Sequence, residues 1–136
     1  MLTLANVFLE DSNSQENQTG TLTINNKTVH YENAGKCLEV IDGNTIQVYG
    51  VGRVQLTQVG TPDGEPGFSQ AKNFVSDRCL GKIVYLDIDD KNPKDKYDRT
   101  LAIVYTDDAD INKELIDNNL AEVSYFTPSE FKKGEV

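Results

Sequence analysis

One histidine and two cysteines stand among the side chains of this sequence equipped for chemistry, and their number narrows what that chemistry can be. His30 is the single histidine, so a triad built on histidine has one candidate base, and a multi-histidine zinc site is excluded. Cys37 and Cys79 stand far apart and form no CxxC pair, which excludes a zinc site or a thioredoxin-type motif built on them. The commoner use of such cysteines is as buried small hydrophobes, with one disulfide between them as the alternative. The run Asp87, Asp89, Asp90 and Asn92 is rich in oxygen donors but lacks the glycine and terminal glutamate of a calcium loop, so it reads as a solvated turn. Asp107-Asp108-Ala109-Asp110 reads as a turn and helix N-cap.

Whatever site these residues serve must be held by short elements. Runs 37–41, 45–49 and 54–59 are rich in β-branched or alternating apolar residues, and Asp42-Gly43 and Gly50-Val51-Gly52 break them as hairpin turns. Residues 67–80 place Phe68, Ala71, Phe74, Val75 and Cys79 at helical spacing, with Gly81 as a stop. Runs 82–88 and 100–106 are two further strands. The charged, proline-containing link 89–99 between them is long enough to suggest a functional loop. Residues 111–118 form a second helix closed by Asn119, and 122–126 a short strand. Thr127-Pro128-Ser129-Glu130 carries a capping threonine, a first-turn proline and a capping-box glutamate, which predicts a third helix, cut short by the end of the sequence. The pattern is α+β: a five-stranded Greek-key β-barrel of the OB-fold type with two to three helices.

Residues 1–35 read as a mobile lead-in with at most one hairpin, turning at Asn25-Asn26, and residues 36–136 as the domain. Residues 1–9 lack a basic n-region and a small-residue cleavage site, so they make a poor signal peptide. Asn17-Gln18-Thr19 and Asn26-Lys27-Thr28 fit the glycosylation acceptor pattern. The location stays open and leans to an extracytoplasmic or secreted one. With 13 Lys and Arg against 22 Asp and Glu, the 136 residues carry a net charge of −9. Such a chain repels a polyanion at long range unless a local basic patch overrides the field. No apolar run approaches the roughly 18 residues of a membrane span.

Val40-Ile41-Asp42-Gly43-Asn44-Thr45-Ile46 resembles the V-x-D-G-D-T hairpin of the staphylococcal nuclease (thermonuclease) family. Four more segments agree in order and spacing with that family. They are Val59-Gly60-Thr61-Pro62-Asp63, Asp95-Lys96-Tyr97-Asp98-Arg99-Thr100-Leu101-Ala102, Ile111-Asn112-Lys113-Glu114-Leu115-Ile116 and Leu120-Ala121-Glu122-Val123. Each alone is weak, but five in order are specific. The resemblance spans about residues 36–126 and implies the same OB barrel. It also implies calcium-dependent hydrolysis of DNA and RNA phosphodiesters.

Carried over by position, the family's metal carboxylates fall at 44 and 60, a carbonyl ligand at 61, the water-handling glutamate at 63 and two phosphate-binding arginines at 55 and 99. This sequence has Asn44, Gly60, Thr61, Asp63, Gln55 and Arg99, so only Thr61 and Arg99 are unchanged. Asp42 and Asp63 are the nearby carboxylates, and the expected cofactor is none, or calcium held weakly. Arg53, two residues before Gln55 and on the same strand face, and Glu65, after the turn, are the side chains that could compensate. Lys96, Tyr97 and Tyr125 occupy positions that surround the nucleotide in the family. A cation with stacking rings suits a nucleotide, although the same tyrosines also read as barrel-edge packing. The expected function is a nuclease-like domain with a defective calcium and catalytic site, serving as a binding or interaction module for single-stranded nucleic acid, a nucleotide or a protein. The alternative is an active endonuclease with an altered site.

Overall fold

The computed structural model describes residues 19–136. The 1–9 segment and Asn17, the first asparagine fitting the acceptor pattern, lie outside the described residues. β1 (Gly20–Ile24) and β2 (Lys27–Tyr31) pair antiparallel, with Ile24 opposite Lys27. Their two-residue turn puts Asn25 and Asn26 at φ 53 and 64, left-handed values that asparagine tolerates better than most residues.

The barrel closes in the order β3 (Asn33–Asp42), β4 (Thr45–Val48), β5 (Gly52–Leu56), β8 (Thr100–Tyr105), β7 (Ile83–Ile88). Only β5 and β8 run parallel; the other neighbours are antiparallel. This is the expected five-stranded barrel. β3 starts earlier than the sequence pattern, because Asn33 to Lys36 pair with β7 while Cys37 to Asp42 pair with β4. Register shifts after Cys37 and Val40 bend one strand so that it serves both neighbours. The expected run 54–59 is split, since Gln58 takes φ 61 and sends β6 (Val59–Gly60) out of the barrel to pair with β9 (Glu122–Val123).

Ile46, Val54, Leu56, Val84, Leu86 and Val104 fill the interior, capped by Ala71, Val75 and Cys79 of α1 (Gly67–Cys79) and by Ile111 and Leu115 of α2 (Ile111–Asp117). Cys37 and Cys79 are free and buried, and burial pushes the Cys79 thiol up to about 12. All six residues of β8 are buried, because its outer side is covered as well. There Ile103 and Tyr105 pack with Ile24 of the hairpin and with Phe131 and Val136 of the C-terminal tail.

The helix expected from residue 127 does not form. Buried Asp89 accepts from the Ser129 hydroxyl (2.5 Å) and the Glu130 amide (2.9 Å). Gln58 Nε2 donates to the carbonyls of Phe131 and Lys132, each at 3.2 Å, and Gln58 Oε1 accepts from the Gly134 amide. A one-turn helix is marginal alone, and these non-local partners satisfy the same backbone groups in an irregular tail. Among the described residues, no helix is long and apolar enough to cross a membrane.

Candidate functional site

The β3–β4 turn is built to be tight. Asp42 Oδ1 accepts from the Asn44 amide at 2.9 Å, an Asx turn that fixes the backbone locally. A Cβ on Gly43 would stand 2.6 Å from Ala71 Cβ and 3.0 Å from Thr61 Cγ2, so glycine is what lets α1 and the 61–63 segment close on this turn. Asn44 faces β6: its Nδ2 donates to the Val59 carbonyl at 3.0 Å, and its Oδ1 accepts from the Thr45 hydroxyl at 3.2 Å.

The 89–99 loop is organised by Asp95. Its Oδ1 accepts from the amides of Tyr97 and Arg99 at 2.9 Å each, and its Oδ2 accepts from Arg99 Nε at 2.7 Å. Burial opposes ionisation of Asp95, but those hydrogen bonds and the Arg99 charge win, holding the carboxyl below its usual range. Arg99 Nη1 donates to Thr45 Oγ1 at 3.3 Å, which brings the loop against the β4 end of the turn. The exposed Tyr97 ring has Lys96 Nζ 5.3 Å and Arg99 Cζ 5.4 Å from its centroid. Arg53 Nη2 donates to the Tyr97 carbonyl at 2.9 Å, so that arginine braces the loop.

Gln55, Lys94, Asp95, Lys96, Tyr97, Arg99 and Phe126 line one open cleft of about 520 Å³. Gly60, Thr61 and Asp63 line a different one, of about 680 Å³, shared with Glu122 and Ser124. Asp42 and Asn44 line neither of these two clefts; Asn44 joins them through its bonds to Val59 and Thr45. Tyr125 is exposed outside both, and its neighbour Phe126 faces the first. Glu65 accepts from the amide and hydroxyl of Ser69 and so caps the start of α1. Among the described residues, no three His, Cys, Asp or Glu side chains converge as a metal cluster would. Sequence reasoning missed Asp95 and Phe126 as residues that line the cleft and Thr45 as a partner of Arg99. Thr45 and Asp95 were visible only as motif members, and nothing local distinguishes Phe126 from Tyr125.

A family model described as staphylococcal nuclease homologue matches residues 53–136. The chain belongs to that family. It is 36% identical over 101 residues to a thermonuclease of Staphylococcus intermedius, covering 67% of this chain and 60% of that protein. It is 32% identical over 108 residues to a thermonuclease of Staphylococcus hyicus, covering 72% of this chain and 63% of that one. Endonuclease YncB of Bacillus subtilis matches at 32% over 117 residues, covering 72% of this chain and 54% of that one. The chain thus spans little more than half to under two thirds of the length of these relatives. In this staphylococcal nuclease homologue, the matched segment takes in both clefts, while the β3–β4 turn precedes it.

Proposed function

We propose that this domain holds single-stranded nucleic acid or a nucleotide in the cleft around Arg99 and does not carry out calcium-dependent cleavage. The supporting observation is the donor set at the turn. Calcium takes six to eight oxygen ligands, and its affinity rises with their charge. At the implied metal positions stand a neutral amide whose Nδ2 is engaged by the Val59 carbonyl, and a glycine with no side chain. Asp42 Oδ1 is engaged by the Asn44 amide, and Asp63 is exposed in the second cleft. This set does not fit a calcium ion, and no step is derived through one.

Binding is supported by the other cleft. Lys94, Lys96 and Arg99 line it beside Tyr97 and Phe126; Asp95 pairs with Arg99 and Asp98 with Lys94, so Lys96 and the Arg99 Nη2 are the donors left for a phosphate. Stacking on aromatic rings contributes roughly 1–3 kcal/mol per base with little sequence preference, while cations track the backbone. Duplex DNA fits less well, because its dense charge meets the repulsive global field.

The test is a fluorescein-labelled single-stranded oligonucleotide, incubated with calcium and then with EDTA, read by anisotropy for binding and by gel for cutting. Binding at low salt in both conditions, without metal-dependent cutting, is the expected outcome. Cutting that needs calcium and stops in EDTA supports the active endonuclease that the relatives' names suggest. Absence of binding in both supports a protein-interaction module instead.

A further inference from the structure

We propose that Asn44 and Thr45 are positioning residues for Arg99, forming a hydrogen-bond relay that aims its guanidinium into the cleft without a metal ion at the turn. The functional part of this inference rests on the binding reading above. Three bonds make the relay: Asn44 Nδ2 to the Val59 carbonyl at 3.0 Å, Thr45 Oγ1 to Asn44 Oδ1 at 3.2 Å, and Arg99 Nη1 to Thr45 Oγ1 at 3.3 Å.

The direction of every link is forced. A guanidinium only donates, so the Thr45 oxygen must accept there and place its own proton elsewhere. A backbone carbonyl only accepts, so the Asn44 nitrogen must face Val59, which turns Oδ1 towards Thr45. Proton and acceptor thus match at all three contacts. Thr45 is 3% exposed and Val59 1%, so water competes poorly for these links.

The geometric consequence falls on Arg99. Its Nε is held by Asp95 at 2.7 Å and its Nη1 by Thr45, while Nη2 has no partner among the described residues. One ion pair would let the planar group swing about the Nε contact. Two grips on different nitrogens fix its plane and leave Nη2 to donate to an anion. The relay also starts at β6, next to Gly60, so the segment lining the second cleft is tied to the group that serves the first. A carboxylate at position 44 would cut the first link, since it cannot donate to Val59. The amide is therefore the side chain this arrangement requires.

The test compares Thr45→Val, which keeps the shape and removes the hydroxyl, with Thr45→Ser, which keeps the hydroxyl. Thermal unfolding first confirms that each variant is folded. In the metal-free protein without nucleic acid, NMR of the Arg99 guanidinium should show separate Nη signals in the parent and in Thr45→Ser, and averaged ones in Thr45→Val. Nη signals that stay separate in Thr45→Val overturn the relay. Anisotropy with a labelled oligothymidine in EDTA should show Thr45→Val binding about fivefold weaker and Thr45→Ser within about twofold of the parent. In an Arg99→Ala background Thr45→Val should add nothing. An equal loss in that background would mean that Thr45 acts on the fold at large, which overturns its positioning role. If the parent does not bind the strand while Thr45→Val still collapses the Nη signals, the binding reading fails and the relay stands.

Discussion

Replacing Asp87 by asparagine should stabilise the protein at about pH 8 and leave it unchanged near pH 4. Asp87 lies on β7 opposite Ile103, where the hairpin and the C-terminal tail cover the barrel. Burial first, and then the charges of Glu32, Glu130, Asp90 and Glu135, push its carboxyl up from 3.8 to about 7. A raised acid pKa means that the folded chain keeps a proton which the unfolded chain has released. Stability from this group therefore increases as pH falls from about 7 towards about 4, and the whole penalty is present above about 7. For a fully buried group a displacement of that size is worth about 4 kcal/mol. Asp87 is only half buried, and solvent screening reduces this to about 2 kcal/mol, or about 8 °C in Tm for a domain of this size. Asp95, held low by Arg99 and Tyr97, works in the opposite direction and loses its contribution at acid pH. It does so equally in parent and variant, so their difference reports Asp87 together with the carboxylates that face it, Glu32, Glu130, Asp90 and Glu135. Urea or thermal unfolding of both proteins at about pH 4, 5.5, 7 and 8 provides the measurement. A difference that does not change with pH, or that favours the parent at about pH 8, refutes the reasoning.

Calcium at about 1 mM should leave the Tm of the parent almost unchanged, since a site with Kd near 1 mM contributes only about 0.4 kcal/mol; a rise of 10 °C or so by differential scanning fluorimetry would contradict it. Asn44→Asp with Gly60→Asp should unfold more easily in EDTA by about 1–3 kcal/mol, because an aspartate cannot donate to the Val59 carbonyl, and calcium at about 10 mM should recover that loss. Gly60 can accept the change: it has no left-handed φ, and an added Cβ would meet Ser124 Cβ at an ordinary 3.4 Å. Gly43→Ala should destabilise by about 2 kcal/mol in urea unfolding, because its Cβ would fall 2.6 Å from Ala71 Cβ, whereas Gly60→Ala should be close to neutral.

Much of the architecture is legible in the sequence, because it follows from local rules. The β-branched run 45–48 and the continuous, mostly apolar run 100–105 commit those segments to strands, and helical spacing from Phe68 to Cys79 commits α1. Asn25-Asn26 specifies a tight turn through the left-handed φ that asparagine tolerates. The ordered motifs around Asp63 and Arg99 fall within the family match, and the barrel comes with it. What local pattern cannot report is which distant group a polar atom meets. Thr127 to Glu130 has every local mark of a helix start, yet Asp89 and Gln58, on other parts of the chain, take the backbone and side-chain groups that a helix would have used. The same holds at the site. The sequence names Asn44, Gln55, Gly60 and Arg99, but only the folded chain decides that Gln55 and Arg99 share one cleft while Gly60 lines another. It also decides that Asn44 links the two. Hydrogen bonds across a barrel depend on strand register and closure, and these are settled when the whole core packs rather than by any one segment.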